Sequence, residues 1–195
     1  METTHVPSLE SDRLLFTPLQ IENIYTHFRW NNDPELNRLD SELPHREEPF
    51  GQFKRRFEQM CFHTTEANRD FEIHLKGDAL IGVAYVSDIS AHHRHAQIGI
   101  TIGDREHWGQ GYGRESLELL LAYCFDELAL HRVSAETFEY NQAWRRLVEE
   151  AGFVHEGSAR EYLQRDGQYW DKVNYALLAH EYHTRSTALA ENVAV

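Results

Sequence analysis

A chain of 195 residues is long enough for one well-packed domain and short for two. Its hydrophobic content of 41% excludes a disordered chain. The 19 Lys and Arg against 32 Asp and Glu, a net charge of -13, exclude general nucleic-acid binding, which depends on neutralising phosphates.

A field of that sign draws in cations such as amines, or serves only to keep the protein soluble; charge does not choose between them. Residues 1–20 hold no basic segment followed by an apolar core, so no signal peptide is expected. Apolar runs such as 119–125 are too short to span a bilayer, and no membrane partner is expected. Cys61 and Cys124 lie in predicted helices without metal-type spacing, as reduced core thiols of a cytoplasmic protein would.

Residues 13–17 read as a short strand closed by Pro18. A helix is expected over 21–30, with Ile21, Ile24, Tyr25 and Phe28 on one stripe. Residues 31–49 read as loop because they hold Pro34, Pro44 and Pro49; a second helix follows over 51–65, with Phe53, Phe57, Met60 and Cys61 at helical spacing. Phe71, Ile73 and Leu75 alternate with polar residues, Gly77-Asp78 makes a tight turn, and 80–89 and 98–102 are strands. The clearest helix covers 113–128, where Leu117, Leu120, Leu121, Cys124 and Leu128 share a face. A strand at 132–138 precedes a helix at 141–151, stopped by Gly152. Residues 153–158 and 169–178 form a last strand pair around Asp166-Gly167. The chain is expected to fray beyond His183, leaving a core of about 10–183 and a tail of 184–195 in a single domain. The pattern predicts an α+β (mixed α/β) architecture with a mostly antiparallel, partly parallel sheet.

The sharpest signal is the turn Trp108-Gly109-Gln110-Gly111-Tyr112-Gly113-Arg114 between a strand and that strong helix. A helix start presents unpaired N–H groups at its positive dipole end, and glycines let the backbone approach an anion closely. A pyrophosphate suits such a nest. The glycines at 109, 111 and 113 do not match the dinucleotide fingerprint, and the Lys-Ser/Thr end of the nucleotide P-loop is absent.

Two segments resemble the GNAT superfamily of acyl-CoA N-acyltransferases, and within it the RimJ/RimL-like branch. They are the turn with its flanks, His107 to Glu115, and Asn141-Gln142-Ala143-Trp144 leading to Ala151-Gly152-Phe153. Asp12-Arg13-Leu14, Trp30-Asn31-Asn32-Asp33-Pro34, Arg160-Glu161-Tyr162-Leu163 and Asp166-Gly167 are similar as well. The resemblance implies a central sheet splayed between the strand ending near Ile102 and the strand at 132–138. The pantetheine of acetyl-CoA would lie in that gap against the backbone of Ile100, Thr101 and Ile102. Gly109, Gln110, Gly111, Tyr112, Gly113 and Arg114 would hold the pyrophosphate, and Asn141 would lie near the thioester. No metal is implied.

Amide formation needs a neutral amine, so a base must take a proton from a group that titrates near ~8 to ~10. By resemblance Glu161 is the candidate base; its other reading is a surface carboxylate paired with Arg160 or Arg165. Gln97 stands where many relatives carry Glu, and glutamine accepts no proton. The positions that usually supply an acid hold Trp144 and Val148, which leaves Tyr162 or Tyr140. His92-His93-Arg94-His95 reads as a solvated loop, since neighbouring strand histidines alternate faces and no further ligands complete a site. The amine partner is expected to be a protein N-terminus, as in the RimJ/RimL branch, or a small cation such as a polyamine or aminoglycoside. A catalytically weak acyl-CoA-binding module and a purely structural domain are the rival classes, and the protein is expected to be a monomer or homodimer.

Overall fold

The computed structural model describes residues 6–63, 65–77 and 79–193. One sheet joins β1 (Leu9–Glu10), β2 (Leu14–Pro18), β3 (Arg69–Leu75), β4 (Leu80–Ser90), β5 (His95–Ile102) and β6 (Arg132–Phe138). Beyond β6 lie β8 (Gln168–Leu178) and, at the edge, β7 (Val154–Arg165). Every pairing is antiparallel except β5 with β6. The expected α+β architecture is therefore the observed one.

Alternation decides what each face of the sheet carries. Phe71 and Ile73 of β3, with Leu14 and Phe16 of β2, are fully buried in the main core beside Leu117 and Leu120 of α4 (Tyr112–Ala122). The intervening Glu72 meets Asn23 and His27 on the opposite face, where α1 (Ile24–Asn31) and α3 (Phe50–Phe62) pack through Ile24, Phe53 and Phe57. Such burial stabilises by roughly 25 cal/mol per Å² of apolar surface removed from water.

The parallel pair is short. His95, Ala96 and Gln97 face Arg132, Val133 and Ser134, and the pairing ends there. β5 continues to Ile102 against β4 alone, and β6 continues to Phe138 against β8 alone. The two strands thus diverge into the expected splay.

Several local expectations are corrected. Residues 34–40 are not loop but helix α2 (Pro34–Asp40). Asp33 caps it, accepting from the N–H groups of Glu35 at 2.9 Å and Leu36 at 3.1 Å, and Pro34 occupies the first turn, where its missing N–H costs nothing. Tyr25 is exposed and His27 buried, because the first helix begins with a 3-10 turn (Ile21–Asn23) that rotates the stripe. α3 stops at Phe62, and Thr64 and Asp78 lie outside the described residues, the latter with half of the Gly77-Asp78 turn. α4 passes into a π-turn (Tyr123–Glu127) that keeps Cys124 fully buried. β7 extends past 158 to Arg165 as an edge strand, largely exposed, so it lacks the alternation that marks a half-buried strand. Past His183, where fraying was expected, the chain stays helical in α6 (Ala179–Val193); Glu181 accepts the N–H of Leu178 at 2.9 Å, and Tyr182 stacks on Phe125.

Candidate active site

The glycine turn lies beside the open end of the splay. Gly111 is the N-cap of α4 with φ +84°, and no side chain caps this helix start among the described residues. Gly109 has φ +71°, and a Cβ there would meet nothing within 4 Å. The first-turn N–H groups are thus left for a ligand. Arg13 braces the turn from outside: its Nε lies 2.6 Å from Glu115, its Nη1 donates to the Gln110 carbonyl at 3.1 Å, and its guanidinium sits 4.5 Å from the Tyr112 ring centre. Trp108 donates its indole N–H to the Ile102 carbonyl at 2.7 Å, tying the turn back to β5.

A groove of about 410 Å³ runs from this helix mouth into the splay. Ile100, Thr101, Ile102, Gly109, Gly111, Tyr112, Gly113 and Asn141 all line it, as do His107 and Trp144. Asn141 caps α5 (Gln142–Glu150), accepting from the Trp144 N–H at 3.2 Å. Two of the residues expected at the cofactor do not line the groove: Gln110 donates its side-chain amide to the Glu106 carbonyl at 2.6 Å, and Arg114 is ion-paired with Glu150.

Nor does the structure bring the sequence-derived base and acid to the groove. Glu161 is exposed in a bulge of β7 at φ +52°, where its N–H donates to Asp171 at 2.8 Å. Tyr162 is also exposed, with its hydroxyl 3.3 Å from Glu42 and Lys172 over its ring. Tyr140 donates its hydroxyl to the Arg38 carbonyl at 2.7 Å and is absent from the lining.

The groove holds other ionisable groups that no sequence pattern singled out. Lys172 lies 2.7 Å from Glu136 and 2.8 Å from Glu42. Burial opposes its charge, but these two carboxylates outweigh that and hold its ammonium above the usual range. Asp40, at the end of α2, has no hydrogen-bonding or ion-pair partner for its carboxyl among the described residues. It touches the water of the groove while protein surrounds it, and the lost hydration raises its carboxyl above the usual carboxylate range.

Asp40 also lines a second cavity, of about 350 Å³, between α1, α3 and the sheet. Leu36, Tyr85 and Thr101 are likewise common to both spaces, and His27, Trp30, Phe57 and Asp70 complete this cavity. Asp70, Tyr85 and Gly99 face one another across β3, β4 and β5. Tyr85 lies over Gly99, where an added Cβ would come within 2.2 Å of its ring, so glycine is required at that position. Burial, then the charges of Asp40, Glu136 and Asp70, push the Tyr85 hydroxyl up and keep it neutral. The capping pair Asp33-Pro34 is the one local signal that could have placed Asp40 at a helix end.

Residues 13–154 match the family model described as Acetyltransferase (GNAT) domain. The chain is 33% identical over 141 residues to the spermidine N(1)-acetyltransferase of Vibrio cholerae, covering 72% of this chain and 81% of that one. It is 35% identical over 100 residues to the [ribosomal protein uS5]-alanine N-acetyltransferase of Escherichia coli, covering half of each. Among solved structures, the Vibrio cholerae spermidine N-acetyltransferase in complex with CoA and spermine superimposes with a TM-score of 0.79 at 27% identity, over 88% of this chain and 99% of that one. The uncapped helix mouth and the unpaired stretch of β5 fit a coenzyme carrying a pyrophosphate and an amide-rich arm. The chain belongs to the GNAT acetyltransferase family and is an acetyl-CoA-dependent N-acetyltransferase.

Proposed function

We propose that the acceptor is a primary amine on a small cationic molecule and that Asp40 takes its proton. The observation that carries this reading is the position of Asp40, an unpartnered carboxyl shared by the groove and the second cavity. The aromatic and acidic lining of that cavity supports a compact cation, with Asp70 as a further carboxyl. The spermidine-acetylating relative, which aligns over most of its length, adds support. The ribosomal-protein relative aligns over half of its length and supports the other acceptor, a protein N-terminus.

The chain's own groups divide the work. The first turn of α4 offers N–H donors and a positive dipole end to the pyrophosphate. The edge of β5 beyond Gln97, free of β6, offers backbone groups to the pantetheine. When bound, acetyl-CoA supplies an acetyl group activated as a thioester. An alkyl ammonium titrates near ~10, and the raised carboxyl of Asp40 narrows the gap across which the proton must move. The neutral Tyr85 hydroxyl provides a hydrogen-bond donor at the junction of the two spaces.

The test is acetyl-CoA turnover across polyamines, aminoglycosides, free amino acids and short peptides, for wild type and Asp40→Asn. Small cations should be acetylated, and the variant should lose roughly 100- to 10,000-fold in kcat, with KM for acetyl-CoA unchanged. The wild-type rate should rise with pH through a carboxyl titrating above its ordinary range, because the ionised form is the active one. Turnover confined to peptides would overturn the acceptor class, and an unchanged Asp40→Asn rate would overturn the base.

A further inference from the structure

The short segment that carries Asp40 is tied by side chains from the far end of the chain. Arg165, half-buried at the end of β7, donates through Nη1 to the Arg38 carbonyl and, at 2.5 Å, to the Tyr140 hydroxyl. Its Nη2 donates to the carbonyls of Ser41 at 2.8 Å and Leu43 at 3.2 Å. Tyr140 in turn donates to the Arg38 carbonyl, and Asn141 donates its amide to the Leu39 carbonyl at 3.3 Å. The carbonyls of residues 38, 39, 41 and 43 are thereby held on both sides of Asp40, whose own carboxyl has no partner.

An α-helix leaves its last carbonyls without partners, and a cation is favourable at that end. Only a planar fork with several donors can serve carbonyls on both sides of a turn together with a hydroxyl; a lysine ammonium is a point charge with a different reach. Left unrestrained, a poorly hydrated and unpaired carboxylate gains free energy by turning toward bulk water. The clamp opposes that motion.

We infer that Arg165 is a positioning residue, which fixes the turn 38–43 so that Asp40 stays between the groove and the second cavity. This rests on the reading of Asp40 as the proton acceptor. Arg165 itself lines neither space. The link also explains how Asn141 serves two elements at once: it caps α5 with its carbonyl oxygen and holds α2 with its amide.

The experiment is a double-mutant cycle on the acetylation of whichever small amine the wild-type enzyme turns over best, with Arg165→Ala, Asp40→Asn and the two combined. Arg165→Ala should lower kcat/KM for the amine roughly 10- to 100-fold while KM for acetyl-CoA stays within about twofold, as expected for a misplaced group. Arg165→Lys should recover part of the loss. The double variant should be no slower than Asp40→Asn alone, because a residue that acts through Asp40 has nothing left to position. Losses that multiply in full, or a matching rise in the acetyl-CoA KM, would overturn the inference. If Arg165→Ala melts below the assay temperature, Arg165→Lys carries the same cycle. Asp40→Asn at the wild-type rate would remove the base and this inference together, whereas a slow Asp40→Asn beside a fully active Arg165→Ala would remove this inference alone.

Discussion

The two walls of the groove are built on different principles. The wall at the glycine turn is one continuous run, β5, a turn and α4, and what it offers is backbone: an uncapped helix start, positive-φ glycines and a strand edge released from its neighbour. The wall at Asp40 is assembled from side chains far apart in the chain, with Arg165 and Tyr140 reaching across more than a hundred residues to the carbonyl of Arg38. A backbone site is sensitive to whatever adds a Cβ or forbids a φ, and indifferent to most other changes. A side-chain site fails when one tie is cut. Substitutions on the two walls should therefore fail in different ways.

The largest expected effect is at the root of the side-chain wall. Glu72 is fully buried beneath α1 and accepts from the Gln20 N–H at 3.0 Å, Asn23 at 2.6 Å, His27 at 2.8 Å and His74 at 3.0 Å. Burial alone would raise its carboxyl, but His27, His74, Gln20 and Asn23 outweigh it and bring it from 4.5 to about 2. A depressed carboxyl stabilises the fold above its unfolded value, and that contribution is lost as pH falls through its folded value. The carboxylate is thus worth about 3 kcal/mol at neutral pH, fading between about pH 5 and pH 2. Urea unfolding of Glu72→Gln should show a gap of about that size from wild type at pH 7, closing toward pH 2. A gap independent of pH would mean that the ionised network does not hold α1.

On the backbone wall, Gly111→Val places a β-branched residue at φ +84°. Such strain costs on the order of 1–3 kcal/mol, which either distorts the helix mouth or stays in the fold. Calorimetry should find acetyl-CoA binding weakened roughly 10- to 100-fold, with overall stability less affected than in Glu72→Gln. Wild-type affinity in Gly111→Val would refute a cofactor site made of backbone donors.

The same division explains what could be read without coordinates. Alternation in β5, the glycines and the leucine stripe of α4 are patterns within a few residues of one another, so the turn and its neighbours were legible. Arg132–Phe138 was legible as a strand for the same reason. α2 was not, because Pro34 reads as a breaker unless Asp33 is recognised as its cap. Asp40, Tyr85 and Arg165 carry no local signature, since each gains its setting from residues that only the fold brings near. Gln110 and Arg114 belonged to the right motif, yet their side chains turn to Glu106 and Glu150. A motif fixes the path of the backbone more firmly than the direction of each side chain.

Glu161 gives the smallest expected effect and the sharpest contrast with Asp40. Both are open to water, but Asp40 is enclosed by protein, whereas Glu161 stands in an edge-strand bulge whose backbone, not its carboxyl, bonds to Asp171. An exposed carboxylate outside the groove has no short path for a proton from a bound amine. Glu161→Gln should keep kcat/KM within about twofold of wild type and leave the pH profile in place. Since φ +52° at that position is a strained conformation for a side chain, Glu161→Gly should preserve or raise stability while remaining equally active. A loss beyond about tenfold in Glu161→Gln, with Asp40→Asn unaffected, would return the base to β7 and leave the unpartnered carboxyl of α2 with no part in the chemistry.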